Sequence, residues 1–526
     1  METFEAQRQA LRSLADFSGA HHASFSPCFD HAQLAAARDE LVVNLRGLHP
    51  VEAEDVCALV HPLDGSSEAL QASPRLAALL AALHGEELRR RLSESVGCGP
   101  LAASPNSSLI VAVPPNGFFL PRGAPAGQPS SAALAFCLFL TEDWWSEADG
   151  GLLELYEAEA ARPSATVLPC FNTLLVYSAS AGLGATRVAT ERAPQLAIHG
   201  VFCEAGIPAA VPRLELEGDH ARGLGTAGVK AQSSGTGPEG EGCAHPDRTF
   251  DEADREVLRT WVSASHLPAK RLAAVRRRFA KRSRALLRGF LKPEAAEALA
   301  HLLRARDSED GLPVGDAAAR EDHDLGCGTG WQLVGPARSR RYLRSVGAHG
   351  PSGCPASAAL QEVATQLQSP AFLRFLEAVT GLRRASSTEP SAAEARRFRP
   401  GLDYVRRARA GAPRLDAVLC LCGGRGWRHL GAADAYVEAS EDTDTSLMAG
   451  NRLPPPLVRL RPAPNALRLV LRDARTAHFV EPLARGAGGS RWDVAVSLEL
   501  EALGEESEEE GLDPDSPVEP GSDEGQ

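Results

Sequence analysis

Apolar and polar positions along this chain run through one plan twice: helical spacing first, then short apolar runs of strand length. From Asp30 to Arg46 and from Pro74 to Ser93 the apolar residues recur every three or four positions, and Leu76, Leu79, Leu80, Leu83 and Leu88 share one face of a helix. Strand-like segments follow at Ser108–Val113, Ala132–Leu140, Gly151–Tyr156, Thr173–Ser178 and Gln195–Cys203, punctuated by Gly, Pro and Asn. Helices before many short strands predict an α+β fold with a helix-buttressed sandwich or barrel, not a βαβ sheet. Helical, basic residues from Asp251 to Arg306 precede strands at Asp416–Cys422, Ala466–Asp473 and Arg491–Leu500, so the second half restates the first.

The two halves also echo each other residue by residue. Leu138-Phe-Leu140, then Trp144, then Gly150-Gly151 corresponds to Leu419-Cys-Leu421, Trp427 and Gly431. Asn172-Thr-Leu174 corresponds to Asn465-Ala-Leu467. A repeat this long predicts a duplicated domain, not a solenoid. The segment 212–248, rich in Gly, Ser and Pro, reads as a linker. The resulting division is an N-terminal segment 1–20, a domain 21–211, the linker 212–248, a domain 249–500 and a tail 501–526.

Composition changes the picture in three places. The 526 residues carry a net charge of −13, but 501–526 holds eleven acidic residues and no basic one, leaving about −2 for the rest. Only four basic residues are lysines (Lys230, Lys270, Lys281, Lys292), an arginine bias that lowers the information in any single arginine. Eleven cysteines without a C-x-x-C predict free thiols, with no disulfide framework and no zinc site. The absence of a leader-like start or a ~20-residue apolar run predicts a cytoplasmic or nuclear protein that is neither secreted nor membrane-bound.

The segment Phe136-Cys-Leu-Phe-Leu-Thr-Glu-Asp-Trp144, with Gly150-Gly-Leu-Leu-Glu-Leu-Tyr156, Val167-Leu-Pro169 and Asn172-Thr-Leu-Leu-Val-Tyr177, resembles the core of a prolyl-hydroxylase double-stranded β-helix. Together with Leu286–Glu294, Cys420-x-Cys422…Trp427 and Arg491-Trp-Asp-Val-Ala-Val496, it resembles the tandem-domain 2-oxoglutarate and iron(II) oxygenases that hydroxylate a proline of a small-subunit ribosomal protein, the yeast termination-and-polyadenylation type. The resemblance implies two tandem double-stranded β-helix (jelly-roll) domains, the second noncatalytic. It also implies iron(II), 2-oxoglutarate and ascorbate as cofactors, and a role in translation.

That chemistry requires an H-x-D, a distal His and an arginine fork for the cosubstrate carboxylate. Aligned on the resemblance, the H-x-D falls on Pro121-Arg122-Gly123, the distal ligand on Gly184, the arginine on Gln195, the serine beyond it on Ala197 and the cosubstrate tyrosine on Phe139. None can do the family's work, so the expected assignment is no catalytic, cofactor-binding or metal-ligating residue. His245-Pro-Asp247 is the one H-x-D present and lies in the linker. Strand alternation places Gln195, Ala197 and His199 on one face. Arg187 and Arg192 read as surface arginines. In the second half Asp403 and His478 are the counterparts nearest to ligands, and a core or surface role is the expectation for both.

The reading that follows is a degenerate oxygenase acting as a binding or scaffold protein for a proline-containing peptide or ribosomal protein. The alternatives are an active peptidyl-proline dioxygenase with displaced ligands or a faulty gene model at 114–131, and a nucleic-acid-associated protein. The last would use Lys270–Lys292, which holds ten basic residues and no acidic one on an expected amphipathic helix, for RNA or importin contact.

Overall fold

The computed structural model describes residues 22–204 and 249–500, apart from 45–48, 54–55, 64–67, 72, 103–107, 116, 123–131, 187, 189, 313–321, 348–353, 386–391, 410–411, 423–426, 428–430, 439–456, 474 and 485. The N-terminal segment, the linker with His245-Pro-Asp247, Gly123, Arg187 and the acidic tail therefore lie outside the described residues.

The first half forms β1 (His22–Phe25), β2 (His49–Ala53), β3 (Val56–Pro62), β4 (Leu101–Ala102), β5 (Leu109–Val113), β6 (Phe118–Arg122), β7 (Ala132–Phe139), β8 (Leu153–Tyr156), β9 (Ala165–Val167), β10 (Leu174–Ser178), β11 (Gly182–Ala185) and β12 (Gln195–Glu204). The second forms β13 (Arg284–Arg288), β14 (Trp331–Val334), β15 (Arg340–Ser345), β16 (Glu394–Phe398), β17 (Tyr404–Arg409), β18 (Arg414–Cys420), β19 (Asp434–Glu438), β20 (Val458–Leu460), β21 (Ala466–Arg472), β22 (Thr476–Val480) and β23 (Arg491–Glu499). The first sheet runs β1-β10-β7-β12-β5-β3-β6-β11-β8-β9, and the second runs β13-β21-β18-β23-β16-β15-β17-β22-β19-β20. Place by place these are the same order, with β2 hanging on β3 as β14 hangs on β15.

Strand alternation gives each sheet two faces. Leu134, Phe136, Leu138, Leu174, Val176, Leu196 and Ile198 pack against Leu34 and Leu41 of the helix His31–Asn44 and against Leu76, Leu79, Leu80 and Leu83 of Pro74–Leu83. Burying each such side chain contributes about 1.5–3 kcal/mol. In the second half Leu415, Ala417, Leu419, Leu467, Leu469, Trp492 and Val494 pack on the helices Ala269–Arg282, Pro355–Leu367 and Pro370–Thr380. The last two helices were not anticipated from the apolar spacing. Each begins with Pro at its first position, and Ser369 caps Pro370–Thr380 by accepting from the Phe372 amide.

The expected single cationic helix over 270–292 ends at Arg282. Ser283 takes a left-handed conformation (φ 51°), and 284–288 continues as β13, with Ala285 and Leu287 buried on alternate positions. Period two replaces period 3.6 there, and the strand pairs with β21.

The echoed residues occupy matching places. Asn172 (φ 59°) accepts from the Cys28 and Phe29 amides and donates to the Phe29 carbonyl. Asn465 (φ 47°) accepts from the Leu291 amide and donates to its carbonyl. Asparagine tolerates this conformation better than most residues, and its amide ties two distant segments together. Gly150 (φ 73°) and Gly431 (φ 74°) likewise turn the chain with a positive φ and bridge Val188 and Leu483. The tryptophan echo shifts by one: Trp144 is exposed, whereas Trp145 is buried and donates to the Gly150 carbonyl at 3.0 Å.

Candidate functional site

The inward faces of the two curled sheets are where side chains from many strands converge, and their chemistry differs. In the first half Cys137, Phe139, Leu153, Leu155, Leu175, Tyr177 and Ala197 form one apolar cluster, continued by Leu109, Val111, Val113, Trp145 and Val188. Gln195, Ala197 and His199 share this face, as alternation requires. Ala197 packs beside Phe139, its cross-strand partner. The Gln195 Oε1 is buried without a hydrogen-bond partner and sits so near Gly151 that a Cβ there would lie 2.7 Å away.

His199 Nε2 lies 3.4 Å from the Cys137 sulfur, and its ring meets Phe119 edge-on. Enclosure without a charged partner pushes its pKa down to about 4. Arg192 is exposed and stacks over Trp144.

Pro121 and Gly184, the two positions aligned with iron ligands, do meet. A Cβ built on Gly184 would lie 3.1 Å from the Pro121 ring. Gly184 pairs with Glu154, however, and it is the neighbouring Leu183, paired with Leu155, that packs among the inward residues. Proline and glycine offer no side-chain donor, and among the described residues no three His, Cys, Asp or Glu side chains gather as metal ligands. An iron(II) held by two imidazoles and a carboxylate does not fit this donor set.

The far side of β8 joins the halves. Glu154 is buried, accepts from Tyr156 and lies 2.7 Å from His323 Nε2, while Arg341 donates to the Tyr156 hydroxyl at 2.6 Å. Burial alone would raise the Glu154 pKa, but His323 and Arg341 lower it overall. The Ala337 amide donates to the Ala160 carbonyl alongside.

The second interior is ionic. Arg491 is fully buried and binds Asp434 and Asp493 at 3.0 and 2.6 Å. Arg468 pairs with Asp434, Arg396 with Asp493, and Arg472 with Asp416. Burial disfavours the Asp434 charge, but Arg491, His478 and Arg468 outweigh it and hold the carboxyl far below the usual range. Cys420 and Cys422 place their sulfurs 3.9 Å apart. That contact, aided by Arg468 and Arg491 against the effect of burial, brings Cys420 down to about 6.

Registers relate this interior to the first. Phe139 faces Ala197 as Cys420 faces Asp493, so two residues earlier Gln195 corresponds to Arg491. The arginine that the resemblance requires on the last core strand therefore stands in the second half, where two aspartates of the chain occupy it. Position alone in the sequence had not singled it out; the 419–421 echo with 138–140 supplies the register. Asp403 and His478 are not brought together: Asp403 binds Arg399, and His478 lies 3.1 Å from Asp434 and stacks on Tyr436.

Residues 253–506 match the family described as oxoglutarate and iron-dependent oxygenase degradation C-term. A prolyl 3,4-dihydroxylase OGFOD1 of Ostreococcus tauri is 25% identical over 378 residues, 66% of this chain and 69% of that protein. Among solved structures, a Pseudomonas putida prolyl-4-hydroxylase is similar over 38% of this chain and 100% of its own, at 16% identity and TM-score 0.30. A prolyl hydroxylase in complex with a hypoxia inducible factor oxygen degradation domain peptide from Trichoplax adhaerens is similar over 38% of this chain and 90% of its own, at 13% identity and TM-score 0.30. The sequence motifs, the family matched over 253–506 and the dihydroxylase relative agree: this chain is similar to the 2-oxoglutarate and iron(II) prolyl hydroxylases.

Proposed function

We propose that this chain is a pseudo-oxygenase: it keeps the family's scaffold as a binding module for a proline-containing peptide or ribosomal protein, in the cytoplasm or nucleus, and has lost the oxidation. The observation that carries the reading is the apolar filling of the first interior by Phe139, Leu153, Leu155, Leu183 and Ala197, where the reaction would need imidazole, carboxylate and guanidinium. The second interior supports the same reading. Arg491 is satisfied by Asp434 and Asp493, so a dicarboxylate has to displace two internal carboxylates to reach it.

Iron analysis of the purified chain, with succinate release from 2-oxoglutarate in the presence of ascorbate and a ribosomal-protein peptide, tests the proposal. Substoichiometric iron and background succinate are expected, with retained peptide binding by fluorescence anisotropy. Stoichiometric iron with turnover would restore the active-dioxygenase reading, and loss of peptide binding as well as turnover would remove the binding module.

A further inference from the structure

The helix Ala269–Arg282 buries Leu272, Val275 and Phe279 and turns the rest of its surface outward. Lys270, Arg271, Arg276, Arg277, Arg278, Lys281 and Arg282 are all exposed, and among the described residues none enters an ion pair. Arginine abundance does not account for this. On the helix Glu86–Val96, Arg90 pairs with Glu87 and Glu94, and Arg91 pairs with Glu87. On Glu252–Arg259, Arg255 and Arg259 pair with Glu252 and Glu256. On those two helices these arginines come with their own carboxylates; here, among the described residues, seven cations stand without one.

The second sheet ends near this face. Leu500 bridges Arg384, and the Ala385 amide donates to the Glu499 carbonyl. Three residues before Arg384, Gly381 lies so close to the cationic helix that a Cβ on it would be 2.7 Å from Arg276 Nε. Three residues span at most about 10 Å. From this point run the 26 residues 501–526, with eleven acidic side chains, five of them within Glu505–Glu510, and no basic one. A segment tethered this near its target is present there at an effective concentration on the order of millimolar.

We propose that residues 501–526 dock across the exposed face of the helix Ala269–Arg282 and occupy it against other polyanions. The attraction is between opposite charges at the surface, so it weakens as salt shortens the screening length from about 10 Å at 0.1 M to about 3 Å at 1 M. The proposal is independent of whether the oxygenase reaction survives.

Three of the four lysines, Lys270, Lys281 and Lys292, lie on this helix or at the start of the next one, which makes zero-length carbodiimide crosslinking diagnostic. In the full chain, the expected products join carboxylates of 501–526 to Lys270 or Lys281 within one molecule, regardless of protein concentration, and fade toward ~0.5 M salt. Replacing Glu505, Glu506, Glu508, Glu509 and Glu510 by Gln should tighten binding of a polyuridine of about 20 nucleotides by about tenfold at ~50 mM salt, as the freed cations contact phosphates. R277E with R278E should abolish that gain while leaving the folded circular dichroism spectrum unchanged. Absence of the crosslinks, their appearance only between molecules, or equal polyuridine affinity with and without the five glutamates overturns the proposal.

Discussion

The two sheets share a strand order and differ in what they enclose. The first closes over leucine, phenylalanine, tyrosine and alanine; the second closes over Arg396, Arg468, Arg472 and Arg491 against Asp416, Asp434 and Asp493. The faces that pack on helices are largely apolar in both, although in the second the buried Arg397 pairs there with Asp307 and Asp310. Topology is therefore held by the helix-facing residues, which tolerate no polar substitution without a partner, while the inward face accepts either chemistry provided it is internally satisfied. Four arginines face three aspartates there, and a Cys420 thiolate is the group that would balance the fourth cation.

This contrast is broken most sharply at corresponding positions. Arg491→Met removes the cation shared by Asp434 and Asp493, leaving them only Arg468 and Arg396, and should cost about 3–5 kcal/mol in chemical denaturation. Gln195→Met removes only an unpartnered amide and should stay within about 1 kcal/mol. Equal costs at the two sites would erase the distinction between an ionic and an apolar interior.

The shared device should behave alike in both halves. Asn172→Ala and Asn465→Ala each remove side-chain hydrogen bonds and place alanine at positive φ, for an expected loss of about 1–3 kcal/mol apiece. A large loss at one site only would show that the two clamps carry unequal loads.

Acid should separate the halves by pH window. His199, and His84, whose burial and Arg89 neighbour likewise bring it down to about 4, hold folded pKa values below the ordinary 6.5. Unfolded imidazoles take up protons first, so the first half loses stability as pH falls from about 6.5 to about 4, and the second half loses less there, through His266, whose pKa burial also lowers. Asp434 is depressed as an acid; its contribution is intact above about pH 4 and is lost as pH falls through its lower folded value. Hydrogen exchange of the two sheets across pH 7 to 3 measures this, and simultaneous loss of protection would contradict it.

A modest effect is expected at Phe139→Tyr. A hydroxyl added beside Ala197 and Leu153 costs about 1–2 kcal/mol if it finds no partner, and nearly nothing if it reaches a neighbouring polar atom. The measured value sharpens how closed the first interior is.

Much of this architecture was legible in the residues. The strands Ala132–Phe139, Leu174–Ser178 and Gln195–Glu204 fall within one or two residues of expectation, because each is an apolar run of strand length with both faces buried. Short edge strands such as Ala165–Val167 and Val458–Leu460 were not legible, since three residues carry no period. The helices Pro355–Leu367 and Pro370–Thr380 were obscured because nearly every turn is apolar, leaving little contrast between faces. The resemblance assigned the ligand positions to residues of this chain, but it did not say that Gly184 shares its face with Glu154 while Leu183 points inward.

By itself the sequence determined the repeated helix-then-strand plan, the echoed asparagines and the turn glycines. These follow from local periodicity and from conformations that few side chains tolerate. Only the tertiary structure decided that Arg491 stands where Gln195 stands in the other half, and that its charge is spent on Asp434 and Asp493. It also decided that the second sheet ends beside a cationic helix whose charges meet no carboxylate among the described residues. Such pairings join residues tens to hundreds of positions apart, and nothing in local spacing encodes them; they exist once strand register brings the backbone together.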